Sequence, residues 1–278
     1  MKQIETIHLF PQLTENLLNL LRNIDESEWL KPSPINGRTV KDLVSHIIDG
    51  SLRKLAIQRD GFSDKTNIPS IQSYGDLINY IQTLNKEWIN VTRRLSPKIL
   101  IDLLEYSENQ FNEFIKTLDP NDTAIFPVNW AGEMESKNWF DTAREYTEAW
   151  HHQMQIRLAL NKPLLMDIKF IEPLYETFMR GLPHLYNDFA NIETGYIIKI
   201  GLIGTLNKYW FLERKYDNWE LIEKEPDKVD TSVKIPDDVA WKIFTNTDRE
   251  KEKYKSIIKI TGNDKLGLKL LDFVTVMS

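Results

Sequence analysis

Apolar residues recur at steps of three and four along the first two thirds of the chain. Leu13, Leu17, Leu20, Leu21 and Ile24 follow Pro11, a residue suited to a first helical turn, and predict a helix ending near Asp25. After the Pro/Gly-rich Lys31–Gly37, Thr39 and Asp42 form a helix-start signature ahead of Val40, Leu43, Val44, Ile47 and Ile48. Gly61 to Ser70 reads as polar and irregular. Ser73 with Asp76 opens a third helix through Leu77, Tyr80, Ile81, Leu84, Trp88 and Val91. Ser96-Pro97 opens a fourth, reaching Ile115. Asp119–Asp122 ends it, and Thr123 to Lys137, which carries Phe126, Trp130 and Gly132 without sustained period, predicts an ordered loop. Ser136 is expected to cap a fifth helix running to about Leu160, and a further, interrupted helix follows through Leu174, Phe178 and Leu182.

Beyond about Asn191 the pattern shortens. Segments 195–203, 209–215, 219–222 and 231–235 are rich in β-branched and aromatic residues and are separated by Gly, Asn and Asp. They read as antiparallel strands. A helix over Pro236 to Thr245, a strand over Ser256 to Thr261 and an apolar helix from Leu266 to Met277 complete the chain. The prediction is a multi-domain α and α+β protein: a helical domain over residues 1–190 and a smaller α+β domain over 191–278 with an antiparallel sheet.

The chemistry concentrates in Arg144 to Arg157. Glu148 and His152 stand at i and i+4, so on a helix they share a face one turn apart and can converge on one ion. His46, on the second predicted helix, can bring another imidazole. His151 stands at i+3 from Glu148, also a metal-competent spacing, and periodicity alone does not choose between His151 and His152. An exposed i,i+4 pair worth only ~0.2–0.5 kcal/mol is the bland alternative; against it, the stripe through 148 and 152 continues as Ile156 and Ala159, turning apolar as a core-facing stripe does. Two imidazoles and a carboxylate leave a zinc-like ion an open position for water or a ligand. Arg157, on the same helix, is a candidate to meet a carboxylate of substrate or thiol cofactor, with a salt bridge as the equal alternative. Arg214 is a weaker candidate for cofactor binding.

Composition narrows the chemistry. The 278 residues contain no cysteine, which removes disulfides, thiolate ligands and a cysteine nucleophile, so any thiol must come from outside. Only five histidines are present, so an imidazole-bound ion has few ways to be assembled. A net charge of -6 with scattered Lys and Arg disfavours nucleic acid as a partner. No apolar run approaches bilayer length and the N-terminal residues do not pattern as a signal peptide, so no membrane partner is expected and the expected location is cytoplasmic.

The Thr39–His46 segment, Glu148-Ala-Trp150-His151-His152 and the strand-rich tail resemble the mycothiol-dependent maleylpyruvate isomerase family over nearly the whole chain. The resemblance implies a DinB-like four-helix bundle, here with an additional helix, followed by a sterol-carrier-protein-like domain. It also implies metal ligation by His46, Glu148 and His152, Trp150 matching the family's tryptophan between the latter two. His151, an extra imidazole relative to the family pattern, then falls beside the ion or at the pocket rim as a candidate catalytic residue. The implied cofactors are a divalent metal, zinc first with nickel, iron, manganese or cobalt as alternatives, and an exogenous low-molecular-weight thiol. The expected activity is thiol-dependent isomerisation or transfer on a small electrophile; the alternative is a non-catalytic protein binding a metal or a small apolar ligand. Neither thiol, substrate nor oligomeric state is specified by the sequence.

Overall fold

Local hydrogen-bond chemistry sets where the helices begin. At α2 (Val40–Lys54) the Thr39 hydroxyl accepts from the Asp42 amide at 3.3 Å, and the Asp42 carboxylate accepts from the Thr39 amide at 3.0 Å. The same reciprocal box, Ser73 with Asp76, opens α3 (Tyr74–Thr92). Ser96 accepts from the Ile99 amide and Pro97 occupies the first turn of α4 (Pro97–Ile115). α1 (Phe10–Arg22) likewise carries Pro11 in its first turn. The computed structural model describes residues 2–62 and 69–276, so most of the segment read as irregular between Gly61 and Ser70 lies outside the described residues.

By residue contacts the described chain forms two compact units, and the division falls inside α5 (Asn138–Ala159), between Arg144 and Glu145. One unit holds Glu5–Ile125 and Glu145–Leu164. Its core is shared by four helices: Leu17 and Leu21 of α1, Leu43 and Ile47 of α2, Leu100 and Leu104 of α4, and Ile156 of α5. Burial of such side chains, each contributing roughly 1.5–3 kcal/mol, is the main force that holds the four together. α3 is the additional helix. Its Trp88 packs on this core and donates from the indole nitrogen to the Ser45 carbonyl at 2.8 Å.

Asp42 links the cap of α2 to the end of α3, because its buried carboxylate also takes two bonds of 2.9 Å from the Arg93 guanidinium. Arg93 is half exposed, so the ion pair counts for less than the cap. Asp42→Ala is expected to cost about 2 kcal/mol, mostly lost cap and desolvated amide. Denaturant unfolding checks this, and an unchanged midpoint would contradict it.

The other unit comprises the residues up to Ile4, Phe126–Arg144 and the chain from Leu165 onward. α6 (Ile168–Met179) and α7 (Leu182–Leu185) therefore group by contacts with the sheet. The expected ordered loop closes on itself through buried Val128 and Trp130, which pack with Phe140. Its Ser136 hydroxyl, expected to cap α5, instead accepts from the Val128 amide at 2.9 Å and bonds Glu133. Gly132 (φ +80°) approaches the His184 ring so closely that a Cβ would lie 2.8 Å from Nδ1, which only glycine permits.

The five strands β1 (Ile197–Ile203), β2 (Lys208–Arg214), β3 (Trp219–Ile222), β4 (Thr231–Pro236) and β5 (Lys259–Thr261) form one sheet in the order β3-β2-β1-β4-β5. The expected antiparallel sheet is in fact mixed. β1 and β2, β2 and β3, and β4 and β5 pair antiparallel, but β4 runs parallel to β1, with Ile200 opposite Val233. The chain from Ile222 to Thr231 passes to the far side of β1 rather than turning back on β3. α8 (Asp237–Phe244) follows β4. The expected last helix is short: α9 (Asp264–Leu268) gives way to a 3-10 turn over Lys269–Asp272. There the Thr275 amide donates to the Phe244 carbonyl at 2.8 Å, pinning the tail outside a helix; Met277 lies outside the described residues.

Candidate metal centre

The second half of α5 lies in the bundle unit and carries the candidate residues on the turn that begins at Glu148. One ligand atom from each of Glu148, His151 and His152 falls within 4.8 Å of the others. His46 arrives from α2, its ring centroid 4.7 Å from that of His152 and nearly perpendicular to it. Ile47 of α2 and Ile156 of α5 belong to the same apolar core, which joins the two helices that carry the site.

Hydrogen bonds orient both neighbouring imidazoles. His152 Nδ1 lies 2.9 Å from the Gln155 side-chain oxygen, which only accepts, so in the neutral ring Nδ1 carries the proton and Nε2 the lone pair. That Nε2 stands 3.5 Å from the Glu148 carboxylate. Two acceptors facing each other at that distance repel unless a cation or proton sits between them, and this donor set fits a divalent ion. His151 is different. Its Nδ1 donates to the Thr147 carbonyl at 2.9 Å, and its side chain is 3% exposed, whereas the His152 and Glu148 side chains are 15% and 26% exposed. Solvent therefore reaches the His152 and Glu148 side of the cluster.

Protonation favours the same chemistry. Burial, reinforced by the neighbouring His152, pushes His46 well below the usual histidine range and His151 to about 3. Both rings are neutral near pH 7 and offer lone pairs.

Against known proteins, the sequence profile described as "Mycothiol maleylpyruvate isomerase N-terminal domain" matches residues 10–157, from the start of α1 to the last turn of α5. The chain belongs to this family. The matched stretch contains His46, Glu148, His151 and His152, and so the whole candidate centre. Two solved structures align over the length of this family member: a histidine-to-alanine mutant of the mycothiol-dependent maleylpyruvate isomerase (12% identity, TM-score 0.54) and that isomerase itself (12% identity, TM-score 0.50). Each alignment covers 94% of this chain and 96% of the other. At this identity the likeness is one of fold. A further solved structure, a UbiJ-SCP2 ubiquinone synthesis protein, aligns over 37% of this chain and 96% of its own at 14% identity, with a TM-score of 0.25. Comparison with curated proteins finds no match.

The two arginines singled out from this family member's sequence are each engaged by backbone carbonyls. Arg157 is buried and donates to the carbonyls of Pro163 at 2.9 Å and Asn16 at 3.3 Å, bracing the end of α5 against α1. Arg214 lies in the sheet unit, where it donates to the carbonyls of Lys215, Asn218 and Ala190. Trp150 is fully buried in α5, while Trp130 and Trp139 pack with Phe140 in the sheet unit.

Glu145, which its place one turn before Glu148 marks as a residue to orient or neutralise its neighbours, meets a second layer of charge from α2 and α4. Lys54 pairs with Glu145 at 3.0 Å, one turn before Glu148. Ser51 bonds the buried Glu108 of α4, whose carboxyl burial pushes up to about 7, with Glu145 adding to the rise. Arg53 pairs with Asp49 at 3.0 Å. The signal was present for Arg53, which stands at i+7 from His46 and so on the same helical face. Glu108 had none, because nothing local marks a carboxylate that a second helix will bury.

Proposed function

We propose that this protein is a metal-dependent enzyme that activates a low-molecular-weight thiol for isomerisation or transfer on a small electrophilic substrate. The reading is carried by one observation, the His152 Nε2 and Glu148 carboxylate facing each other at 3.5 Å with the His46 ring alongside. Family membership supports the thiol chemistry, since the similar solved structures are named as mycothiol-dependent isomerases.

In this reading His46, Glu148 and His152 hold a divalent ion, zinc first. Such an ion lowers the pKa of a thiol or water bound at its remaining position, supplying a nucleophile at neutral pH. Gln155 fixes the His152 tautomer by accepting its Nδ1 proton. His151 is a positioning residue, with its Nδ1 committed to the Thr147 carbonyl and its ring packed under the pair. The mostly buried Lys54 and Glu145 pair balances charge one turn away. For isomerisation, thiolate sulfur adds to one carbon of a cis double bond and the carbon–carbon bond rotates. Elimination then restores the double bond as trans and returns the thiolate.

The test compares zinc-loaded with chelator-treated protein, offering a panel of small thiols with either a cis-butenedioate or chlorodinitrobenzene. Thiol-dependent turnover is expected to fall by roughly 100-fold or more on metal removal, in line with the contribution of a metal-activated nucleophile. The circular dichroism spectrum is expected to stay unchanged, because the bundle core is apolar and owes nothing to the ion. Undiminished turnover in the stripped protein would reject the proposal.

A further inference from the structure

The turn just ahead of α2 has no part in the candidate centre, yet it brings two reactive groups together. The Arg38 amide donates to the Ile35 carbonyl at 3.0 Å and closes a turn over residues 35–38. Around it the Ser33 amide donates to the Arg38 carbonyl at 2.8 Å, and Pro32 bridges Thr39. Gly37 takes the third position of the turn with φ +72°, a conformation that favours glycine. The residue before it is Asn36, and no other asparagine in the chain precedes a glycine. Both residues are exposed. Among the described residues, nothing accepts from the Gly37 amide and nothing bonds the Asn36 side chain. A Cβ built on Gly37 would meet nothing within 4 Å, so there is room for a ring to close.

We propose that Asn36 is a site of spontaneous covalent modification, converting through a succinimide to aspartyl and isoaspartyl forms, and that the isoaspartyl form loosens the start of α2. The Gly37 amide nitrogen bonds to the side-chain carbonyl carbon of Asn36, and the side-chain nitrogen leaves as ammonia, taking the amide proton. Water, the one co-reactant, then opens the ring. Cleavage at the side-chain carbonyl gives aspartate on an unchanged main chain, whereas cleavage at the main-chain carbonyl routes the chain through the side chain as isoaspartate. Glycine in the following position matters because a Cβ would crowd the attacking nitrogen. Isoaspartate adds a backbone carbon inside the turn that the Arg38 amide closes, and Thr39, the cap of α2, comes directly after Arg38.

The test ages the full chain in warm, mildly alkaline buffer. It follows peptide masses, methyl transfer by a protein isoaspartyl methyltransferase, and the urea midpoint. The peptide holding Asn36 is expected to gain about one dalton before any other asparagine peptide, with methyl incorporation rising in step. Asn121, exposed but followed by Asp122, is the internal control and should lag. Asn36→Gln, whose longer side chain must close a larger ring, should take up far less methyl and keep its midpoint while that of the native protein falls. Conversion of Asn36 no faster than Asn121, or methylation of Asn36→Gln as fast as of native protein, overturns the site. An unchanged midpoint in fully converted protein overturns the effect on α2.

Discussion

Replacing His152 or His46 by alanine should abolish zinc binding, whereas replacing His151 should only weaken it. His152 offers a lone pair that faces the Glu148 carboxylate at 3.5 Å, and the His46 ring, from a second helix, has its centroid 4.7 Å from that of His152. In the proposed centre, deleting either leaves two protein ligands, too few for a stable three-ligand site, so affinity is expected to drop by more than the roughly 10–100-fold that loss of a supporting residue costs. In this proposal His151 is such a supporting residue, its Nδ1 proton being given to the Thr147 carbonyl. Metal titration with a chromophoric chelator measures all three variants. Thiol-dependent turnover should follow metal content. If His151→Ala loses zinc as completely as His152→Ala, the ligand set is wrong.

The second large effect concerns Glu108 and pH. Its folded-state pKa of about 7 lies above the ordinary carboxyl value of 4.5, with burial as the main cause. Below about pH 4.5 the side chain is protonated in both folded and unfolded chains, and the protonated form suits its buried position. Between 4.5 and 7 the unfolded chain has released a proton that the folded one still holds, so this contribution declines as pH rises and is gone above 7. Its size is up to about 3 kcal/mol. Glutamine imitates the protonated acid and still accepts from Ser51. Glu108→Gln should therefore match the native protein at pH 4.5 and exceed it in stability at pH 8, measured on zinc-free protein in urea. His151, with its lowered pKa, acts in the opposite sense, its contribution being lost as pH falls from 6.5 toward 3. Taking the difference between native and variant curves cancels it. A difference that does not change with pH would contradict the assignment.

The sequence is legible where the determining chemistry is local. Thr39 with Asp42, Ser73 with Asp76 and Ser96 with Pro97 mark helix starts because cap and amide lie within three residues of each other. Glu148 and His152 are legible as a pair for the same reason, helical spacing alone putting them on one face. Ser136 reads as a cap, yet its hydroxyl is captured by Val128 across the loop, a competition that no local pattern shows. β4 is recognisable as a strand from its residues, but its parallel pairing with β1 depends on the route of the preceding connection. The terminal apolar run looks helical until the Phe244 carbonyl takes the Thr275 amide. Arg157 suggests anion binding by residue type, and only the positions of the Pro163 and Asn16 carbonyls reveal its bracing role.

The most direct test of the proposed centre is anomalous diffraction at the zinc edge from zinc-soaked crystals. The account predicts one strong peak about 2.0–2.2 Å from His152 Nε2, a Glu148 carboxylate oxygen and a His46 ring nitrogen, with a further position open to solvent. A peak bound through His151 without His46, or no peak near these side chains, would contradict it.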